Sequence, residues 1–84
     1  MSNNALKAQI RQELTDLVAK KRAAIKKLED QASGELFLRS TVSDGLLGTA
    51  AKNACTSRAD EATRQAKQLK AEIAWHEEML QKYR

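Results

Sequence analysis

From residue 59 to residue 83, small and apolar residues recur at alternating steps of three and four. The positions are Ala59, Ala62, Ala66, Leu69, Ile73, His76, Leu80 and Tyr83. Such spacing places all of them on one side of an α-helix and is typical of a coiled-coil seam. The sequence therefore predicts a long helix over about residues 49–83, with one side packed against another helix.

The first third of the chain carries a second apolar stripe with helical spacing. Its members are Leu6, Ile10, Leu14, Leu17, Val18, Ile25, Leu28 and Ala32. No proline occurs in the chain, so no residue forbids a long helix. We therefore predict a first helix over about residues 5–32, with Ser33 and Gly34 as its stop.

Residues 33–48 differ in character from the two predicted helices. They hold all three glycines of the chain among several hydroxyl residues, yet Leu36, Phe37 and Leu46 make the segment too apolar for a solvated linker. We predict a short, partly helical connector that folds back onto the helices. The resulting fold class is all-α: a single domain, residues 1–84, built as a long antiparallel two-helix hairpin of coiled-coil type.

The composition predicts that this hairpin is oligomeric. The chain has 84 residues, of which only three are aromatic, so its core must be built largely from leucine, isoleucine, valine and alanine. Small domains with so thin a core usually need a further source of stability. One cysteine cannot form an internal disulfide, and Cys55 with His76 cannot complete a four-ligand metal site. Self-association is the remaining source.

The side chains that most resemble catalytic groups are Cys55 and His76. They lie on the same predicted helix, about 30 Å apart by helix rise, so they cannot meet within one chain. His76 occupies the predicted seam, where a polar residue commonly fixes the register of helix pairing. We therefore expect a protein that is not an enzyme and has no cofactor or metal.

The cysteine content and the hydropathy of the chain bear on its location. A single cysteine argues against a secreted disulfide scaffold. The first residues lack the charged start and apolar stretch of a signal peptide, and no apolar run approaches the length of a membrane span. We expect a cytoplasmic, reducing location and no membrane partner.

The chain has a net charge of +4, and most of this excess lies in the first half, with +3 in residues 1–42 (eight basic minus five acidic) and +1 in residues 43–84 (seven minus six). Lys20 and Lys27 flank one edge of the apolar stripe, whereas Arg22 and Lys26 flank the other. In a hairpin these charges could join basic residues of the returning helix to form a rim. The candidates for contact with an anionic ligand are Lys20, Lys27, Arg58, Arg64 and Lys67.

Trp75 lies one position off the seam, with Met79 one turn further along. Tryptophan, tyrosine, arginine and methionine are enriched in protein interfaces. Trp75 could be covered by Leu36, Phe37 and Leu46 of the connector, by a second copy of the chain, or by another protein. The protein-interface candidates are Trp75, Met79, Tyr83, Phe37, Arg22 and Lys26.

Three functions fit this sequence, and no motif decides among them. The favoured hypothesis is a small protein-binding regulator or inhibitor, of the kind found among accessory proteins of phages and mobile elements, which docks a helical face and basic rim onto a larger protein. The second is a basic helical oligomer that binds nucleic acid or a nucleotide, although it lacks a set of aromatic residues for base stacking. The third is a structural coiled-coil subunit of a larger assembly.

Overall fold

The computed structural model describes residues 3–83 and consists of two long helices, α1 (Asn3–Thr41) and α2 (Leu46–Lys82). The helices pack side by side in a rod that measures 67 × 14 × 14 Å. Among residues 3–83 no strand is present. The predicted all-α, two-helix hairpin is therefore confirmed.

Ion pairs across the two helices define an antiparallel register. Glu35 of α1 pairs with Arg58 of α2, and Glu29 pairs with Lys70. As the residue number falls along α1, the number of its partner on α2 rises, as in any antiparallel hairpin. These pairs lie at the edges of the interface, where they frame the apolar contact between the helices.

The core lies along the predicted stripes. On α2 the buried residues are Cys55, Ala59, Ala62, Ala66, Ile73 and His76. All of them from Ala59 onward belong to the predicted stripe, and Cys55 lies one turn before it. On α1 they are Val18, Ile25 and Ala32. Ala32 packs with Ala59 and Ala62, whereas Ile25 packs with Ala66 and Ile73. The small residues near the middle of the rod let the two backbones approach closely.

The connector is shorter than predicted. α1 does not stop at Ser33 and Gly34 but continues to Thr41, and α2 begins at Leu46 rather than near residue 49. The predicted connector of residues 33–48 is therefore wrong in its bounds, because most of it is helical and only residues 42–45 join the helices. Gly34 is an exposed helical residue with open space around its Cα.

Two other glycines make the turn possible. Gly45 has a φ of 139°, a backbone conformation that side chains of L-residues rarely allow. Gly48 passes so close to the backbone of Ser43 that a Cβ at position 48 would overlap the Ser43 carbonyl oxygen. Thr49 then starts the α2 hydrogen-bond pattern, since its amide donates to the Gly45 carbonyl oxygen at 2.8 Å.

The helices are offset along the rod. A helix of the length of α1 spans about 58 Å, so the 67 Å rod is longer than either helix alone. Every residue from Asn3 to Gln9 is exposed, and Ile10 is the first residue of α1 that is half-buried. The first two turns of α1 thus extend beyond the paired region.

Candidate interaction surfaces

Trp75 lies on the surface of α2, with 58% of its area exposed. The interpretation in which the connector covers Trp75 is wrong. Leu46 lies about 44 Å of helix rise from Trp75. Phe37 lies near the same turn end of the rod, and both side chains are themselves exposed. Because α1 continues through the segment predicted to fold back, that segment cannot reach Trp75.

The indole of Trp75 is held by a neighbouring ring. Its centroid lies 5.3 Å from that of the buried His76, and the two rings meet edge to face at 65°. Met79 and Tyr83, two further interface candidates, are half-buried on the next turns of α2. Trp75 is therefore an exposed aromatic group whose indole is oriented by its contact with a buried ring of the hairpin.

A polar cluster lies at the base of this surface. The Lys21 ammonium lies 2.8 Å from Nε2 of His76 and 3.4 Å from a carboxylate oxygen of Glu72. Since an ammonium can only donate, Nε2 must accept, and the imidazole proton then resides on Nδ1. The Lys21 side chain is only 18% exposed. Its ammonium is thus held by the returning helix instead of extending into water.

The turn end carries a ring of exposed apolar side chains. Leu46 is 90% exposed, Leu47 86% and Phe37 72%, and Leu36 and Leu38 are about half exposed. Of this group the sequence predicted only Phe37 as an interface candidate, because the connector as a whole was expected to fold back onto the helices. The adjacent leucines at 46 and 47, which lie between Gly45 and Gly48, could have indicated an exposed apolar turn.

Two leucines of the predicted stripe on α1 are exposed instead of buried. Leu6 is 50% exposed and Leu17 38% exposed. Leu17 and Val18 are neighbours in the sequence, and successive residues of a helix point about 100° apart, so only one of them can face α2. Val18 takes the buried place, and Leu17 is left at the edge of the interface.

Glu35, Arg58 and Cys55 form a second cluster, closer to the turn. Arg58 donates to Glu35 through Nε at 2.9 Å, and its Nη2 lies 3.6 Å from the buried Sγ of Cys55. The hydrogen bond from Arg58 lowers the pKa of Glu35, and its positive charge and the Cys55 thiol act in the same direction. The same bond raises the pKa of Arg58. This cluster fastens the helices together beside the small residues of the core.

Several of the predicted basic contacts are already paired with acidic residues. Arg22 pairs with Glu77 across the hairpin, Arg58 pairs with Glu35, and Arg64 pairs with Glu61 on its own helix. The hydrogen bond from Arg64 also lowers the pKa of Glu61. These three guanidinium groups therefore carry less net positive charge to the surface than their number suggests.

The other basic candidates are exposed but dispersed. Lys20, Lys26, Lys27 and Lys67 have no carboxylate partner within the part of the chain that the structure describes. Lys26 lines a groove together with Arg22 and Glu77, whereas Lys67 lines a second groove closer to the turn. Lys20 lies about 22 Å along α1 from the Glu35–Arg58 pair. The structure therefore does not gather the predicted basic rim into one patch.

Residues 3–83 contain no group of three histidine, cysteine or acidic side chains placed to hold a metal ion. Neither helix, within the same residues, has a segment long and apolar enough to span a bilayer. Comparison of the chain with protein families, curated proteins and solved structures found no match.

Proposed function

We propose that this chain is a small, non-catalytic regulator or inhibitor that docks onto a larger protein, with the turn end of the hairpin as its binding surface. The observation that carries the proposal is the exposure of Phe37, Leu46 and Leu47, which ranges from 72% to 90%. Exposed apolar groups of this size, clustered at one place, are typical of interaction sites. The partner would have an apolar pocket, or socket, that receives the turn end.

The arrangement of the apolar groups favours a socket over a flat surface. Leu36, Phe37 and Leu38 are successive residues of α1, so they point to different sides of the helix. Leu46 and Leu47 add two more directions on α2. A helix that is apolar on one side packs against a face, whereas an element that is apolar all round is buried on every side. The turn end presents apolar groups in several directions, with polar residues such as Arg39 and Asp44 between them, so a partner would contact it on more than one side.

A protein partner fits this end better than a lipid surface. Peripheral binding to a bilayer usually combines apolar insertion with tryptophan or tyrosine at the interface and with basic residues close by. Here Trp75 lies about 42 Å from Leu47 along α2. The lysines at positions 20–27 lie about 22–33 Å of helix rise before the turn. The basic residues near the turn include Arg39 in the last turn of α1 and Lys52, which is paired with Asp44.

A nucleic-acid function has weaker support. Binding to phosphates needs basic side chains that are free to replace counterions. Arg22, Arg58 and Arg64 are engaged by carboxylates, and the free lysines are dispersed along the rod. A purely structural coiled-coil subunit would not need an exposed apolar turn end.

The proposal includes a reducing, cytoplasmic location and self-association of the hairpin. The buried thiol of Cys55, which is free, is compatible with a reducing compartment. Self-association would use a surface other than the turn end, so that the two contacts do not compete.

The experiment compares two double variants of the tagged full-length chain in affinity purification from the native cell. Leu46→Ser with Leu47→Ser removes apolar groups from the turn end, whereas Leu46→Met with Leu47→Met keeps them. Both leucines are almost fully exposed, so neither variant should change the fold, which circular dichroism checks. A specific partner should be retained by the wild type and the methionine variant and lost with the serine variant.

The same samples test the other classes of partner. Material that binds equally well to all three proteins would contradict docking through the turn end. Co-purified nucleic acid that is released by moderate salt would favour the nucleic-acid alternative. Flotation of the wild type, but not the serine variant, with anionic vesicles would show that the turn end serves a lipid surface, and the protein-docking proposal would fail.

A further inference from the structure

The hairpin has a larger surface area and a larger radius of gyration than a compact protein of its mass. Its surface area is 6390 Å² and its radius of gyration is 19.3 Å. A compact protein of 9.4 kDa has a surface of about 5,000 Å² and a radius of gyration of about 12 Å. The difference in surface is roughly 1,400 Å² per chain, and a pair that buried this area would have an interface of the size found in obligate homodimers.

Away from the turn end, the exposed large apolar side chains within residues 3–83 are Leu6, Leu17 and Trp75. Leu6 and Leu17 are separated by three helical turns, so they lie on the same side of α1. Leu17 lies one turn before Lys21, which contacts His76 on α2. Leu17 therefore lies on the same edge of the hairpin as the ring that supports Trp75.

Four residues on this edge form the surface that we call the Trp75 face: Leu17, Trp75, Met79 and Tyr83. Leu6 lies outside it, because the first two turns of α1 extend beyond the paired region. Trp75 lies one turn after Glu72, and Met79 and Tyr83 lie one and two turns after His76, on the edge that Lys21 bridges. The edge-to-face contact with His76 orients the indole. A pre-oriented aromatic group loses little conformational freedom on association.

We infer that a second copy of this chain covers the Trp75 face and that the two hairpins form a four-helix bundle. A two-fold axis parallel to the helices places α1 of each copy over α2 of the other copy at the same height. Since Lys21 lies beside His76 within one hairpin, Leu17 lies at the height of residues 79–83 of α2. Leu17 of one copy then faces Met79 and Tyr83 of its partner, and Trp75 faces the α1 turn of the partner that contains Lys20.

Charges at the edges of the face fit this arrangement. Lys20 lies one turn from Leu17 on α1, and Glu78 lies one turn from Trp75 on α2, and both are exposed. The two-fold axis brings the lysine of each copy next to the glutamate of the other copy. The face is therefore self-complementary in charge as well as in apolar character.

The first experiment uses sedimentation equilibrium and the fluorescence of Trp75, the single tryptophan of the chain. The wild type should have twice the 9.4 kDa chain mass, and its tryptophan emission should shift to the red on dilution as the dimer dissociates. Trp75→Glu and Leu17→Glu should each weaken the dimer at least tenfold. The serine variant of Leu46 and Leu47 should dimerise as the wild type does, because the turn end lies outside this face.

The second experiment exchanges the edge charges. Lys20→Glu and Glu78→Lys should each weaken the dimer by a measurable factor, and the double variant should recover most of the loss. A wild type that stays monomeric at high micromolar concentration, with the emission of a water-exposed tryptophan, would overturn the inference. A dimer that is insensitive to Trp75→Glu and Leu17→Glu would overturn it as well. Neither result would bear on partner binding at the turn end, so the two proposals can fail separately.

Discussion

At the scale of single residues, the Glu35–Arg58 pair makes hairpin stability depend on pH. Because the pKa of Glu35 is lowered in the folded chain by its hydrogen bond from Arg58, the folded state favours the carboxylate. Its contribution is therefore fully present above the ordinary glutamate pKa near 4.5. The contribution is lost as the pH falls below that value and the folded chain takes up the proton.

The prediction for Glu35 concerns unfolding between pH 7 and pH 3. The melting temperature of the wild type should fall as the pH is lowered. Glu35→Gln should have a lower melting temperature than the wild type at pH 7, and its melting temperature should depend less on pH over this range, because the titrating group is gone. Thermal unfolding followed by circular dichroism measures both. Asp30→Asn, at an exposed site on the same helix, is the control and should keep the wild-type slope. An unchanged slope in Glu35→Gln would contradict the prediction.

The burial of single residues was largely predictable on α2 and less so on α1. The alternating steps from Ala59 to Ile73 correctly identified buried positions, since a long straight helix preserves its phase. The pairing of Lys21 with His76 could not be foreseen, because it depends on how α1 is placed along α2. Likewise, Trp75 could be located beside the seam, but its exposure follows from where the chain turns.

At the scale of elements, the turn was the least predictable part of the fold. The sequence predicted Gly34 as the end of the first helix and placed Gly45 and Gly48 only within the connector, whereas the actual position of the turn rests on tertiary geometry. Gly34 is tolerated within α1, whereas Gly45 adopts a positive φ and Gly48 makes the close approach to Ser43. Composition marks the region of the turn but does not distinguish these three roles.

The different roles of the glycines give opposite predictions for the same substitution. Gly34→Ala should raise the free energy of unfolding by about 1 kcal/mol, because alanine favours the helix and the site has open space. Gly48→Ala should lower it by more than about 1 kcal/mol, because the added Cβ would overlap the Ser43 carbonyl. Urea titration measures both. Equal effects of the two substitutions would contradict the assigned positions of the turn.

The close approach of the two helices predicts an intolerance of bulk at the middle of the rod. Ala62 is 2% exposed and packs with Ala32 and Ala59. Ala62→Leu should cost about 1–3 kcal/mol of stability, as overpacking does in well-packed cores. Ala50→Leu, on the exposed side of the same helix, should change stability little. A stabilising effect of leucine at 62 would mean that the helices lie further apart.

At the scale of the whole molecule, the large surface of the rod predicts that stability depends on protein concentration. If a second copy covers the Trp75 face, dimer formation stabilises only the folded state, and the melting temperature must rise with concentration. Scanning calorimetry over a hundredfold range of concentration measures this. Trp75→Glu should remove most of the dependence and leave a melting temperature near that of the dilute wild type. A wild type with a constant melting temperature would contradict self-association.

The uneven distribution of buried residues along the rod has a dynamic consequence. Among the described residues, every buried side chain lies between residues 18 and 32 or between residues 55 and 76. The turn end can therefore open while the middle of the hairpin stays paired, and its backbone amides should exchange hydrogen for deuterium at a smaller opening free energy. A partner bound to the turn end would suppress this opening. The backbone amides whose exchange is slowed would then locate the contact, whatever the identity of the partner.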